Sequence, residues 1–247
     1  MLKNAINAEI LKLKHSGIFI PTLGLSILCV LIGSGNYFAN KAVFSVPEWQ
    51  ALWTQVALFY GDFFYPIMAA ICAAYLWRME HTNHNWNSLM TAPISENIVF
   101  LSKFLILTII GFLTQLFLML IYYCVGIFAF HFKSDFPIAM AFGWLIYGWI
   151  AAISISAMQL YLSMRIRSFS IPIGISFGFC IIGLILYGLK IGKIFPNSLL
   201  ILGIGATEAT AIPLSEGISI GIVSIIYSCI FYILATYFLK KSDISAA

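Results

Sequence analysis

Charged side chains are scarce in this sequence: 9% of its 247 residues are Asp, Glu, Lys or Arg, against 62% hydrophobic, and the mean hydropathy is +0.99. A soluble domain carries about 25% charged residues, so too few polar side chains remain to cover a water-facing surface. No G-x-x-x-x-G-K-[ST] loop is present to cradle a nucleotide phosphate. Residues 188–193 offer glycines and lysines at the wrong spacing, and Ile194 stands where a hydroxyl residue belongs. Any ATP that drives this protein is therefore hydrolysed on another chain. Basic residues interleaved with aromatics are also missing, which removes nucleic acid as a partner. The five cysteines, Cys29, Cys72, Cys124, Cys180 and Cys229, each lie in an apolar run with no partner at ligand spacing. They read as small hydrophobes with free thiols.

Long apolar runs are what the sequence does have. Six stretches reach the roughly 20 residues that a helix needs to cross a bilayer core: 18–38, 56–77, 104–130, 138–164, 169–190 and 218–239. They are continuous, unlike the short alternating segments of a membrane barrel, so the predicted fold is an all-α integral membrane protein with six transmembrane helices. The run from 18 exceeds the apolar core of a signal peptide and lacks a small-residue cleavage site after it, so it is expected to stay as a permanent span.

Lysine and arginine set the orientation. With the N-terminus inside, nine of the thirteen (Lys3, Lys12, Lys14, Arg78, Lys103, Arg165, Arg167, Lys240 and Lys241) fall on the inner side. Inner loops carry that excess, so both termini are expected to be cytoplasmic. Trp49, Trp53, Tyr60 and Tyr65 suggest an interfacial aromatic belt at the outer start of the second span. Residues 1–15 place Leu2, Ala5, Ile6, Ile10 and Leu13 at helical spacing, with Glu9 and Leu11 breaking the pattern. They are read as an amphipathic helix in the inner interface; a plain basic tail is the alternative. Two outer connections look long (41–55 and 191–217) and two connections look tight (131–137 and 165–168). The chain is taken as a single transmembrane domain over 1–247, with one large polar inner connection at 78–103.

Three patterns raise the question of chemistry. Gly174, Ser176 and Gly178 form a G-x-S-x-G nucleophile pattern, but histidine occurs only at 15, 81, 84 and 131, outside the spans. Close helix packing through Ser170, Gly174 and Gly178 is the favoured reading, and no catalytic residue is assigned. Zinc needs three or four ligands held in a tetrahedron; beside Glu80, His81 and His84 no cysteine or further histidine lies nearby, and no metal site is assigned. Charged residues at membrane depth are functional candidates by default. The weak candidate is Asp62, expected within a turn or two of the outer end of the second span, where solvation or a substrate vestibule would account for it. With Pro66 and Pro172 expected near span ends, the broken midplane helices of an ion-coupled carrier are not evident.

The inner connection runs from Arg78 and Glu80 through His81, Asn83, Trp86, Asn87, Leu89 and Met90 to Pro93 and Ile94, and Lys103 opens the third span. Trp86, Leu89 and Met90 would form an apolar knob on a short helix that Pro93 stops, suited to docking in a partner's groove. An interfacial turn with Trp86 in the headgroups is the alternative. An acidic residue after the second span, a Trp-bearing helix, a Leu, a Pro-Ile pair and an entering Lys resemble permease subunits of type-2 ABC exporters. More narrowly, they are similar to permeases of lantibiotic self-immunity and bacitracin-resistance transporters. The opening around Ala8-Glu9-Ile10-Leu11-Lys12 and the close around Leu239-Lys240-Lys241 resemble the two ends of that family.

The resemblance implies that residues 80–93 form a coupling element docked on a separate P-loop ATPase, with Glu80 orienting it and Trp86 and Leu89 filling the cleft. It implies no cofactor on this chain, with ATP and Mg on the partner subunit. It further implies a second permease copy or sister permease, a multi-pass location in a bacterial plasma membrane, and expulsion of an amphipathic, lantibiotic-like peptide from the lipid. A stand-alone secondary transporter or channel, and an intramembrane enzyme built on Ser176, are the rival readings.

Overall fold

The computed structural model describes residues 1–14, 16–82 and 95–241, apart from the side chain of Glu96. Every regular element among them is helical. In chain order they are α1 (Leu2–Leu13), α2 (Phe19–Asn40), α3 (Glu48–Phe59), a π turn (Tyr60–Phe64) and α4 (Tyr65–His81). There follow α5 (Glu96–Phe128), α6 (Ile138–Arg165), α7 (Ser170–Gly188), a 3₁₀ turn (Gly192–Ile194), α8 (Pro196–Gly203) and α9 (Leu214–Lys241). Six segments are long and apolar enough to span a membrane, the second being the unit Glu48–His81 that joins α3, the π turn and α4.

α6 is the post around which the bundle is built; α4, α5, α8 and α9 all pack on it. Many of its buried residues are small, among them Gly148, Ala151, Ala152, Ser154, Ser156 and Ala157. Between apolar helices in lipid, small residues of this kind let backbones approach closely. Within α2, a Cβ at Gly33 would fall 2.7 Å from the Val56 Cα, so α2 and α3 touch backbone to backbone there.

The second span differs most from its sequence reading. It is helical from Glu48, so the expected outer loop over 41–55 shrinks to a few residues. The expected aromatic belt is internal: Trp49, Trp53, Tyr60 and Tyr65 are all buried. A buried indole needs a partner for its N–H, and backbone carbonyls supply it. Trp49 Nε1 donates to the Ser134 carbonyl (2.9 Å) and Trp53 Nε1 to that of Ile204 (2.8 Å). Trp53 also stacks on Trp144, with centroids 5.0 Å apart.

The expected outer loop over 191–217 folds back as α8, whose Asn197, Ser198, Leu199 and Leu200 are wholly buried. The expected packing of Ser170, Gly174 and Gly178 is not found within one chain. A Cβ at Gly174 or Gly178 would meet nothing within 4 Å, because α7 turns Ser176 inward and those glycines outward. Small residues do serve packing one turn further on, where a Cβ at Gly183 would lie 2.7 Å from Cβ of Asn197.

The turn after α8 depends on Gly205. Its φ is +60° and an added Cβ would stand 2.7 Å from Trp144 Nε1, the indole that donates to the Thr210 carbonyl. A left-handed residue with a Cβ costs about 1–2 kcal/mol, before the displaced indole is counted. Gly205→Ala is expected to lower the thermal midpoint of the purified protein by about 4 °C or more, read by tryptophan fluorescence; unchanged melting would contradict this account of the turn.

Candidate functional site

Four charged side chains from three helices meet where the described parts of α4 and α5 flank residues 83–94. Glu9 and Lys12 stand three apart on α1 and so share a face. Glu80 is on the last turn of α4, and Lys103 lies two turns into α5. Lys103 Nζ donates to Glu80 Oε1 (2.6 Å), Glu9 Oε2 (2.7 Å) and the Leu76 carbonyl (2.8 Å). Lys12 Nζ donates to Glu9 Oε1 and Glu80 Oε1, both at 2.7 Å. The result is a closed ring of alternating sign and zero net charge.

Burial gives the ring its weight. The Lys103 side chain is 0% exposed, those of Glu9 and Glu80 only 8% and 5%, and that of Lys12 32%. An ammonium has three N–H groups, and Lys103 uses them on three acceptors, with the Trp77 ring a further 5.0 Å away. For Lys12, burial pulls its pKa down, but hydrogen bonds and attraction from Glu80 and Glu9 outweigh this and raise it above the ordinary lysine value. It therefore stays charged at physiological pH.

Read from the residues, Glu9 is a flaw in an apolar stripe and Lys12 and Lys103 are inner cations; the family resemblance names all three without giving them a role. In the structure Glu9 is the buried residue of α1, while Ile10 on the expected apolar face is more than half exposed. The flaw was the signal: an acid on the inward face of a short helix, three residues before a lysine. Glu80, read as the residue that orients the coupling element, turns its carboxylate into this ring. His81 is half-buried, with Nε2 3.1 Å from the Ser163 carbonyl on α6; that carbonyl accepts when Nε2 carries the proton. Asn83, Trp86, Asn87, Leu89 and Pro93 lie outside the described residues.

Asp62 lies elsewhere and departs from its expected setting. It is 1% exposed, so solvation does not account for it, and Oδ1 has no hydrogen-bond partner. It stands about 20 Å along the 34-residue helix Glu48–His81 at 1.5 Å per residue, well inside the span. Pro66 follows it by four residues. Proline lacks an N–H and its ring crowds the carbonyl four residues back, here that of Asp62. The chain answers with a π turn, in which the Tyr65 N–H bonds to the Tyr60 carbonyl five residues back. The π turn packs against α7 and α8; there Asn197 on α8 has an unpartnered Oδ1 as well, while its Nδ2 lies 3.7 Å from Cys180 Sγ on α7. Ser176 on α7 donates to the Pro66 carbonyl (2.9 Å). Its hydroxyl is thus engaged in helix packing.

Six apolar helices, a short N-terminal helix tied to two of them by charge, and a polar segment between those two define a multi-pass membrane protein of the permease class. The family described as "ABC-2 family transporter protein" matches residues 5–183, which run from α1 nearly to the end of α7. The chain belongs to that family and is a permease subunit of an ABC transporter. Such membership implies an ATP-binding partner. A comparison with curated proteins found no match.

The ring makes a quantitative prediction. Removing one member of a buried ion pair strands the others and costs about 3–5 kcal/mol. Lys103→Met is expected to destabilise the protein by that amount, and adding Glu80→Gln and Glu9→Gln to it should restore part of the loss. Denaturation of the single and triple variants in detergent checks this; a neutral Lys103→Met would contradict it.

Proposed function

We propose that this permease transmits the motion of a separate P-loop ATPase into its spans through residues 80–93, with the charge ring as the rigid root of that lever. The observation that carries the reading is the ring itself: it ties α1, the end of α4 and the start of α5 into one unit on either side of the segment that would dock. Glu80 then acts from within, holding the root of the segment, while Trp86 and Leu89 fill the cleft of the partner. ATP and Mg belong to that partner, and this chain contributes no catalytic group.

A second permease copy or sister permease completes the transporter in this reading. What supports it is that α7 and α9 are the least enclosed of the six spans and that Gly174 and Gly178 face open space. The proposed cargo is an amphipathic antimicrobial peptide, lantibiotic-like, expelled from a bacterial plasma membrane in self-immunity or resistance. The resemblance of the 78–103 connection to peptide-immunity permeases supports the cargo class, and Asp62 adds a buried acidic group at membrane depth that suits a cationic peptide.

The reading is tested by purifying the intact protein from its native cells in mild detergent. A P-loop ATPase is expected in stoichiometric amount, and Trp86→Ala should reduce its recovery at least tenfold, the effect of about 1.4 kcal/mol, without changing the melting of the permease. Recovery of well-folded protein with no ATPase would contradict the reading.

Asp62 supplies a second test. A carboxylate buried without a partner costs free energy, so Asp62→Asn should melt at or above the wild-type temperature. If Asp62 meets the cargo, the same variant loses protection of cells against a cationic peptide. Full protection would remove Asp62 from the pathway.

A further inference from the structure

On the open side of the charge ring, between α1 and the last turns of α4, is a cavity of about 540 Å³, within the size range of small-ligand sites. Its walls are apolar, formed by Leu11, Leu13, Tyr75 and Met79, and two cations, Lys12 and Arg78, line it. Glu9 lines it too, but that carboxylate is already bound by Lys12 and Lys103. The ring is neutral, so Arg78 is the surplus charge. It is exposed and has no carboxylate within ion-pair distance among the described residues. Its guanidinium rests 5.5 Å from the Phe169 ring centroid, and it shares a shallow neighbouring crevice with Arg167, a second arginine without an ion pair among the described residues.

The surroundings of the cavity are greasy. Leu11 is 67% exposed, and at the start of the first span Phe19 and Ile20 are 60% and 77% exposed. Such surfaces belong against hydrocarbon. The cavity thus combines an apolar interior, a wall that reaches Ser16 just before the first span, and an arginine at its edge whose guanidinium charge no carboxylate matches among the described residues and which can bind an anionic oxygen group by paired hydrogen bonds.

We infer that this cavity binds an anionic glycerophospholipid, with an acyl chain against Leu11, Leu13, Tyr75 and Met79 and the phosphate at Arg78. A zwitterionic headgroup brings its own cation and leaves the excess positive charge unmatched, so the site discriminates by headgroup charge. Bound there, the lipid fills the space between α1 and α4 and fastens the lever root to the membrane surface. The inference rests on α1 lying in the inner interface, as the lysine and arginine distribution indicates, and is independent of the ATPase.

The test is native mass spectrometry of the full-length protein, stripped of lipid in detergent and offered equimolar phosphatidylglycerol and phosphatidylcholine. One cation near a membrane surface contributes about fivefold in favour of an anionic lipid, so phosphatidylglycerol adducts should exceed phosphatidylcholine adducts by about that factor. Arg78→Gln should bring the two lipids to parity, and Arg78→Lys should keep most of the preference. Met79→Trp, which fills the cavity without changing charge, should reduce adducts of both lipids. Equal retention of both lipids by the wild type would overturn the inference, as would a preference that survives Arg78→Gln. Because the protein is measured without its partner, either result leaves the ATPase co-purification test to be decided separately.

Discussion

A lysine with no exposed surface, in a chain this poor in charge, is stable only if its surroundings replace water completely. Lys103 does this with two carboxylates and a carbonyl, and those carboxylates in turn require Lys12. At an effective dielectric near 20, each contact of about 2.7 Å has a gross attraction of about 6 kcal/mol. Desolvation takes back much of that. The ring's contribution is therefore less to net stability than to geometry. Glu9, Lys12, Glu80 and Lys103 satisfy one another in one arrangement of α1, α4 and α5, and any sliding of one helix strands a buried charge.

That constraint has consequences along the chain. In sequence α4 ends before and α5 begins after residues 83–94, so the ring fixes the two helix ends between which that segment runs. His81, bonded to Ser163, extends the tie to α6, the helix on which most others pack. Farther along the same span, well inside it, Pro66 and the π turn interrupt the helix beside α7 and α8. The span Glu48–His81 thus joins a charge-fixed end to a backbone irregularity well inside the bundle, which suits an element that carries motion from one face toward the middle.

Much of the fold could be read from the sequence because lipid imposes simple rules. The six apolar runs had to be helices, and the scarcity of charge and the lack of a phosphate loop excluded a soluble enzyme. Other features could not be read, and each has a physical reason. Trp49 and Trp53 looked interfacial because tryptophan favours headgroups, but distant carbonyls at Ser134 and Ile204 satisfied their N–H groups inside the bundle. The stretch 191–217 looked like a loop because α8, the helix that folds it back, is only eight residues long. Glu9 looked like an error in an amphipathic pattern because its buried partner, Lys103, is 94 positions away. Asp62 was placed too near the end of its span because α3 begins at Glu48, eight residues before the apolar run seemed to start.

The central claim is that α1 and the ends of α4 and α5 move as one body when the partner hydrolyses ATP. Spin labels at Lys3 on α1 and Thr82 at the end of α4, in the intact transporter, test it directly through pulsed-EPR distance distributions with and without a trapped nucleotide. The account predicts one narrow distribution, unchanged by nucleotide in the otherwise native protein and broadened by Lys103→Met. A distance that shifts with nucleotide while Lys103 is intact would mean that the ring opens during the cycle, and would contradict the account.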